Sequence, residues 1–246
     1  TFTMTSIRII TLNIEGDKHL DIVIPFLQSE NADVICLQEV FEKDVEQIKK
    51  SLSMNGEFIP CMYINEENVA HFSPGNVWGI MVLTNLLEYS ISKKYYSSYS
   101  SELPELGYKN PNAAHRVLFI IDVRKQAQNF RIITTHFTWT PDGNPLPLQF
   151  EHMEAMLSVL NTFDEFVLCG DFNAPRGGEV WKILAKKYTD TIPPNITTTL
   201  DPNIHRTKNL ELVVDGIFST PKYSVTNVAV RGGLSDHKAI IATIIK

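Results

Sequence analysis

Two stretches near the start decide the fold: Ile7-Arg8-Ile9-Ile10-Thr11-Leu12-Asn13-Ile14 and Asp33-Val34-Ile35-Cys36-Leu37-Gln38-Glu39-Val40. The first has the β-branched density of a central strand and ends at Asn13, ahead of the turn formers Gly16 and Asp17. The second reads as a strand over 33–38 that stops at Glu39. Between them Leu20, Val23, Ile24 and Leu27 recur at helical spacing, and after them Phe41, Val45, Ile48 and Leu52 fall on one face of a helix. The order is strand, helix, strand, helix, and each strand leaves a polar residue at its end.

Outward from there the pattern becomes strand-rich. Extended composition predicts strands at 57–62, 77–86, 116–123 and 130–137, the last two paired as a hairpin across 124–129. A loop over 138–147 leads to an amphipathic helix marked by Phe150, Met153, Leu157 and Leu160. A short buried strand at 166–169 then ends in Gly170-Asp171. A helix around 179–187, an irregular stretch over 189–208, and strands at 210–218, 224–230 and 239–245 complete the chain. Helices interleaved with hairpin-like strands point to mixed sheets covered by helices, in place of a purely parallel doubly wound sheet.

The chain has 246 residues, 43% of them apolar, which is enough for one sizeable core. Its 12 glycines and 13 prolines are scattered and no segment repeats, so residues 1–246 are read as a single domain. A net charge of −6 argues against binding nucleic acid by bulk electrostatics, although a cation held by clustered carboxylates would reverse the local sign. Cys36, Cys61 and Cys169 are odd in number and read as small hydrophobes in a reducing compartment. No apolar run approaches the ~20 residues of a bilayer span, so no integral membrane segment is expected. The first six residues lack the features of a signal peptide, which favours a cytoplasmic location. Met4 as a native start behind a tag remnant and a processed, secreted form both stay open.

The polar residues left at strand ends carry the chemistry. Glu39 closes an apolar strand, where a carboxylate reaches solvent, pairs with a cation side chain or binds a metal. In Cys169-Gly170-Asp171-Phe172-Asn173 the glycine permits a tight exit, and an acid and an amide two residues apart can enter one cleft or form an ordinary Asx-turn. Ser235-Asp236-His237, directly before the last strand, offers a ligand carboxylate beside an acid/base imidazole, or a plain capping turn. His136 ends another apolar strand and reads equally as a hydrogen-bonded core residue. Asp215 lies inside Leu212-Val213-Val214-Asp215-Gly216-Ile217-Phe218 and demands a partner, for which an imidazole suits best.

In order, Thr11-Leu12-Asn13-Ile14, Leu37-Gln38-Glu39-Val40, Thr134-Thr135-His136-Phe137, Gly170-Asp171-Phe172-Asn173, Val214-Asp215-Gly216-Ile217-Phe218 and Ser235-Asp236-His237 resemble the motifs of the endonuclease/exonuclease/phosphatase superfamily. The likeness covers nearly the whole chain. It implies an α/β fold, a four-layer α/β/β/α sandwich of two packed mixed β-sheets flanked by helices. By the same resemblance Glu39, with Asn13 and Asp236, would hold Mg²⁺ or Mn²⁺, and Asp171 would orient or deprotonate the attacking water. Asn173 and His136 would hold phosphoryl oxygens, and His237, backed by Asp215, would be the remaining acid/base. Zinc fits less well, since no histidine or cysteine pair has zinc-site spacing.

The implied activity is metal-dependent hydrolysis of a phosphoester by a monomer, with nucleic acid as the leading substrate. A lipid headgroup or an inositol phosphate is the alternative, and a catalytically inactive binding module on the same fold is the third reading. Asn76, in the segment Pro74 to Gly79 that departs from the family's glycine-rich entry, is a candidate phosphate contact, as are Arg116 and Arg176. Trp139, close behind His136, is a candidate stacking surface whose competing role is packing.

Overall fold

Two six-stranded mixed sheets stack face to face in the computed structural model, which describes residues 4–65, 74–107 and 110–246. The first sheet is built on β1 (Ser6–Asn13), which pairs in parallel with β2 (Val34–Phe41). Beyond β2 lie β4 (Asn76–Thr84) and β3 (Asn55–Ile64), and on the other side of β1 lie β12 (Ala239–Ile245) and β11 (Ser224–Arg231). The second sheet runs in the order β5 (Glu88–Tyr95), β6 (Val117–Lys125), β7 (Gln128–His136), β8 (Val167–Asp171), β10 (Asp215–Ser219) and β9 (Thr189–Asp190).

Side-chain alternation places the layers. Ile10, Leu12, Ile35, Leu37, Met81 and Leu83 face α1 (Leu20–Glu30) and α2 (Val45–Leu52) in one apolar cluster. Their neighbours Ile9, Val34, Cys36, Ile80 and Val82 turn the other way, into a cluster shared with the second sheet. That cluster also takes in Met153, Met156 and Leu160 of α3 (Pro147–Leu160), and Trp181 and Leu184 of α4 (Glu179–Lys187). The four-layer sandwich expected from the sequence is therefore the fold of this chain. All three cysteines are free and buried in strands, as their apolar surroundings suggested. Among the described residues no helix is long and apolar enough to cross a membrane.

The structure departs from the sequence reading most at the following four places. The second strand does not stop at Glu39: it runs on to Phe41 through a bulge between Gln38 and Val40, so the helix begins only at Val45. Strand β5 was not anticipated, because an edge strand exposed along most of its length shows no apolar alternation. The stretch read as a strand over 210–218 is a strand only from Asp215, since loop groups take the earlier backbone bonds: Thr199 N–H donates to the Leu212 carbonyl and Arg176 N–H to that of Val213. In α3 the buried face passes through Gln149, Met153, Met156 and Leu160, which leaves Phe150 at the surface.

Gly170 fixes how the ends of β7 and β8 meet. It pairs with Thr135 one step before His136 pairs with Asp171, its φ is +136°, and a Cβ there would stand 2.1 Å from the Thr135 carbonyl oxygen. Gly170→Ala is expected to cost about 3 kcal/mol, seen as a melting temperature lowered by roughly 6–12 °C. A melt within a degree of the wild type would show that the strand ends can move apart freely.

Candidate active site

The sheets bring their strand ends to one place. Asn13 is the last residue of β1, His136 the last of β7 and Asp171 the last of β8. Asp215 opens β10, which runs antiparallel to β8 with Asp215 opposite Asp171. Asp171 therefore lies between His136 and Asp215 across the second sheet. Asp236 and His237 arrive on the turn before β12, beside β1 in the first sheet.

Glu39 reaches the site by a backbone device. The β2 bulge holds it at φ +58°, a left-handed conformation that a side chain adopts at a cost. Its neighbours Gln38 and Val40 are fully buried in the sheet, whereas the Glu39 carboxylate comes within 3.9 Å of His136 Nε2. Burial, and then the nearby Asp236 carboxylate, push the Glu39 carboxyl up to about 8.

One oxygen of Asp171 is the hub. Oδ2 accepts from Asn13 Nδ2 at 3.1 Å and lies 3.3 Å from His136 Nε2 and 3.8 Å from His237 Nε2. Its partner Oδ1 accepts from the Asn173 backbone N–H at 2.8 Å. Burial opposes the charge on Asp171, yet His237, His136 and the Asn173 amide outweigh it and hold the carboxyl well below the usual carboxylate range. Behind this hub, His237 Nδ1 meets Asp215 Oδ2 at 2.9 Å. Burial opposes a positive ring there too, but Asp215 and Asp171 on its two nitrogens raise His237 well above an ordinary imidazole. His136 moves the other way, lowered chiefly by burial. It packs at 5.0 Å between ring centroids against Trp78, which crosses from the first sheet.

Two donor sets in this cluster suit a cation. Asp171, Asp215 and His237 present ligand atoms within 4.8 Å of one another, which makes this buried group able to hold a metal ion. Asn13, Glu39 and Asp236 offer oxygens, and the carboxyl of Glu39, driven toward its protonated form by burial and by Asp236, marks a place where a positive charge is wanted. In the first set His237 Nδ1 is already bonded to Asp215, so the oxygen donors fit a hard cation better.

The loops around the site are braced by side chains with no motif of their own. Asn112 grips Trp139 at both backbone groups, accepting from its N–H at 2.9 Å and donating to its carbonyl at 2.8 Å. Gln149 donates to the carbonyls of Thr138 and Asn173 at 2.7 and 3.0 Å. Asn173, at φ +47°, donates from its amide to the Phe137 carbonyl at 3.0 Å, so one of its two amide hydrogens is already committed.

Of the four candidate substrate contacts, the two arginines donate to acceptors within the protein. Arg116 is 4% exposed and donates to the His136 carbonyl at 3.0 Å and to Asn112 at 3.1 Å. It braces the end of β7 and, among the described residues, pairs with no surface carboxylate. Arg176 is taken up by the carbonyls of Ile192, Pro193 and Ile196. Composition gives no sign of which arginine turns inward, so the sequence reading placed both at the substrate. Asn76 is buried at the start of β4 and donates to the Pro74 carbonyl at 3.2 Å. Trp139 is half-buried.

Two stacked mixed sheets between helices, with carboxylates and imidazoles converging at the strand ends, define the class: this is the scaffold and the constellation of a phosphoesterase superfamily. The chain belongs to the Endonuclease/Exonuclease/phosphatase family, whose model matches residues 10–237. Its fold is similar to that of an endonuclease/exonuclease/phosphatase family protein from Leptotrichia buccalis, at 18% identity and a TM-score of 0.73 over 97% of this chain and 99% of the other. It is also similar to the human Nocturnin catalytic domain, solved with a bound sulfate anion, at 16% identity and a TM-score of 0.69 over 100% and 98% of the two chains. The mannosyl-6-phosphatase of Bacteroides thetaiotaomicron gives 13% identity and a TM-score of 0.67 over 98% and 100%. No curated protein sequence matches this chain.

Proposed function

We propose that this protein hydrolyses phosphoester bonds with the help of Mg²⁺ or Mn²⁺ held by Glu39, Asn13 and Asp236. One observation carries the reading: Asp171 and Asp215 flank the two nitrogens of His237 at 3.8 and 2.9 Å, beside a carboxylate that burial leaves in need of a cation. Phosphoryl transfer asks a protein mainly for positioning and for neutralisation of charge. When bound, the metal ion supplies positive charge against the phosphoryl oxygens and the leaving group. The residues of the chain do the rest. Asp171, held ionised, is a weak base and serves to orient the attacking water by accepting its hydrogen bond. As the water oxygen bonds to phosphorus and the bond to the leaving oxygen breaks, the water's proton passes to a phosphoryl oxygen and on to solvent. His237 is kept able to carry a proton by two carboxylates and donates it as negative charge builds on the phosphoryl or leaving oxygen. His136 and the remaining amide hydrogen of Asn173 hold the other phosphoryl oxygens.

A phosphodiester of DNA or RNA is the first substrate class, as the compact members of the family imply. A small phosphoester is the second. It is favoured by the inward turn of Arg116 and Arg176, which leaves neither guanidinium to track a polyanion, and by the net charge of −6. The test is a panel of single-stranded DNA, duplex DNA, RNA, sphingomyelin, inositol phosphates and a sugar phosphate, assayed with Mg²⁺, with Mn²⁺ and with chelator. Cleavage that needs the cation and stops with chelator is the expected result, and the faster substrates choose between the two classes. If nothing is cleaved at high enzyme concentration, the protein is a binding module and the proposal is wrong.

A further inference from the structure

The His237–Asp215 pair has an unusual placement: its two members belong to different sheets. Asp215 begins β10 of the second sheet, and His237 immediately precedes β12 of the first. Each sheet is held internally by its ladder of backbone bonds, but the two sheets meet through side chains: packing, and side-chain hydrogen bonds such as Asn13 to Asp171 and Gln38 to Thr134, both at 3.1 Å. Side-chain contacts tolerate shifts of a few tenths of an ångström more readily than a backbone ladder does, enough to loosen a 2.9 Å hydrogen bond.

A short strap crosses between the two sheets at this point. Thr198, Thr199, Leu200 and Asp201 are each at most 9% exposed, and they lie in the stretch that reads in sequence as irregular. On the second-sheet side, the Thr199 hydroxyl oxygen accepts from the backbone N–H groups of Val214 and Asp215, both at 3.0 Å. Thr199 N–H donates to the Leu212 carbonyl at 2.9 Å. On the first-sheet side, the Thr199 carbonyl accepts from Lys238 N–H at 2.7 Å, Leu200 bridges to His237, and Asp201 N–H donates to the Asp236 carbonyl at 2.8 Å. The Asp201 carboxylate closes the strap by accepting from Gly233 N–H at 2.6 Å and from Asn203 N–H at 2.9 Å. A single residue, Thr199, thus hydrogen-bonds the backbone on either side of the pair.

We infer that Thr199 and Asp201 are positioning residues for the proposed hydrolysis: the strap 198–201 sets the distance between His237 and Asp215 across the two sheets. The inference rests on the functional reading above for its consequence on rate, while its geometric content stands by itself. Thr199→Val keeps the shape and removes the hydroxyl, leaving two buried N–H groups unpaired and taking away its hydrogen bond to the Asp215 carboxylate. Thr199→Ser keeps the acceptor. Asp201→Asn keeps the size and loses one of the two accepting oxygens.

The test uses the full chain with Mg²⁺ and bis(p-nitrophenyl) phosphate. Thr199→Val is expected to lower kcat by about 10- to 100-fold with KM changed by less than about 2-fold, whereas Thr199→Ser stays within about 3-fold of the wild type. In an Asp215→Asn background, where the pair is already broken, the same Thr199→Val change is expected to cost less than about 2-fold, since its effect runs through that pair. An equal loss in both backgrounds, or a loss confined to KM, overturns the inference. A crystal structure of Thr199→Val, or of Asp201→Asn if the first variant does not fold, is expected to show the His237 to Asp215 contact lengthened beyond hydrogen-bond reach. If that contact is unchanged the strap does not set it. A wild-type protein with no activity toward the diester would count against the functional reading alone, and the crystal structures would still decide the strap.

Discussion

Glu39→Ala is expected to lower cation-stimulated hydrolysis by about three orders of magnitude or more, because it removes one of the two carboxylates proposed to hold the metal. The fold is expected to survive. The bulge backbone accepts alanine as well as glutamate, and removing a buried, electrostatically crowded carboxyl relieves the metal-free protein. The sign of the pH effect separates this residue from its neighbours. In the native, metal-free protein the Glu39 carboxyl sits at about 8, above its ordinary 4.5. The stability this contributes is fully present below pH 4.5 and is lost as the pH rises through 8. A cation that replaces the proton restores it, so the rise in melting temperature on adding Mg²⁺ should be larger at pH 8.5 than at pH 6 in the wild type. In Glu39→Ala that rise should be small at both values. Full activity, or an undiminished Mg²⁺-dependent rise, in this variant removes Glu39 from the metal site.

His237→Ala is expected to cost three to four orders of magnitude in kcat, about what an acid/base group at the centre of a reaction contributes. KM should change little, because the imidazole acts on charge that develops only on the way to the transition state. Asp215→Asn retains the shape and a hydrogen-bonding group but not the charge that favours a protonated ring, so about a hundredfold loss is expected. Steady-state kinetics on the best substrate of the panel measures both. Wild-type rates in the two variants would leave the 2.9 Å contact with a structural role only.

Much of this was legible in the sequence, and for a physical reason. Asn13, His136 and Asp171 end strands whose preceding residues, 9–12, 132–135 and 167–170, are all buried, and a polar residue in that position has only the rim of the sandwich to go to. Glu39 was legible as a rim residue but not as a bulge. A polar break in an apolar run looks like the end of a strand, and only the pairing with β4 shows that the strand resumes. The strap around Thr199 was illegible because its work is done by backbone groups, one hydroxyl and one carboxylate in an irregular segment, which leave no periodicity behind. Gln149 was hidden within a helical stripe that Phe150 seemed to complete, since an apolar residue one place away matches the same spacing. Inward-turned charge is the hardest case: Arg116 and Arg176 satisfy backbone carbonyls, a role that no side-chain pattern records.

The order in which the strands are made has a consequence for the life of the nascent polypeptide. The first sheet is begun by β1 to β4, set aside while the second sheet is laid down, and finished only when β12 slides in between β11 and β1. Asp236 and His237 ride in with that closing strand, so a chain halted on the ribosome before them holds the remaining site residues with neither the acidic arm nor the ring between the two aspartates. For the proposed hydrolysis, a product cut before Asp236 is therefore expected to be inert without any separate inhibitor.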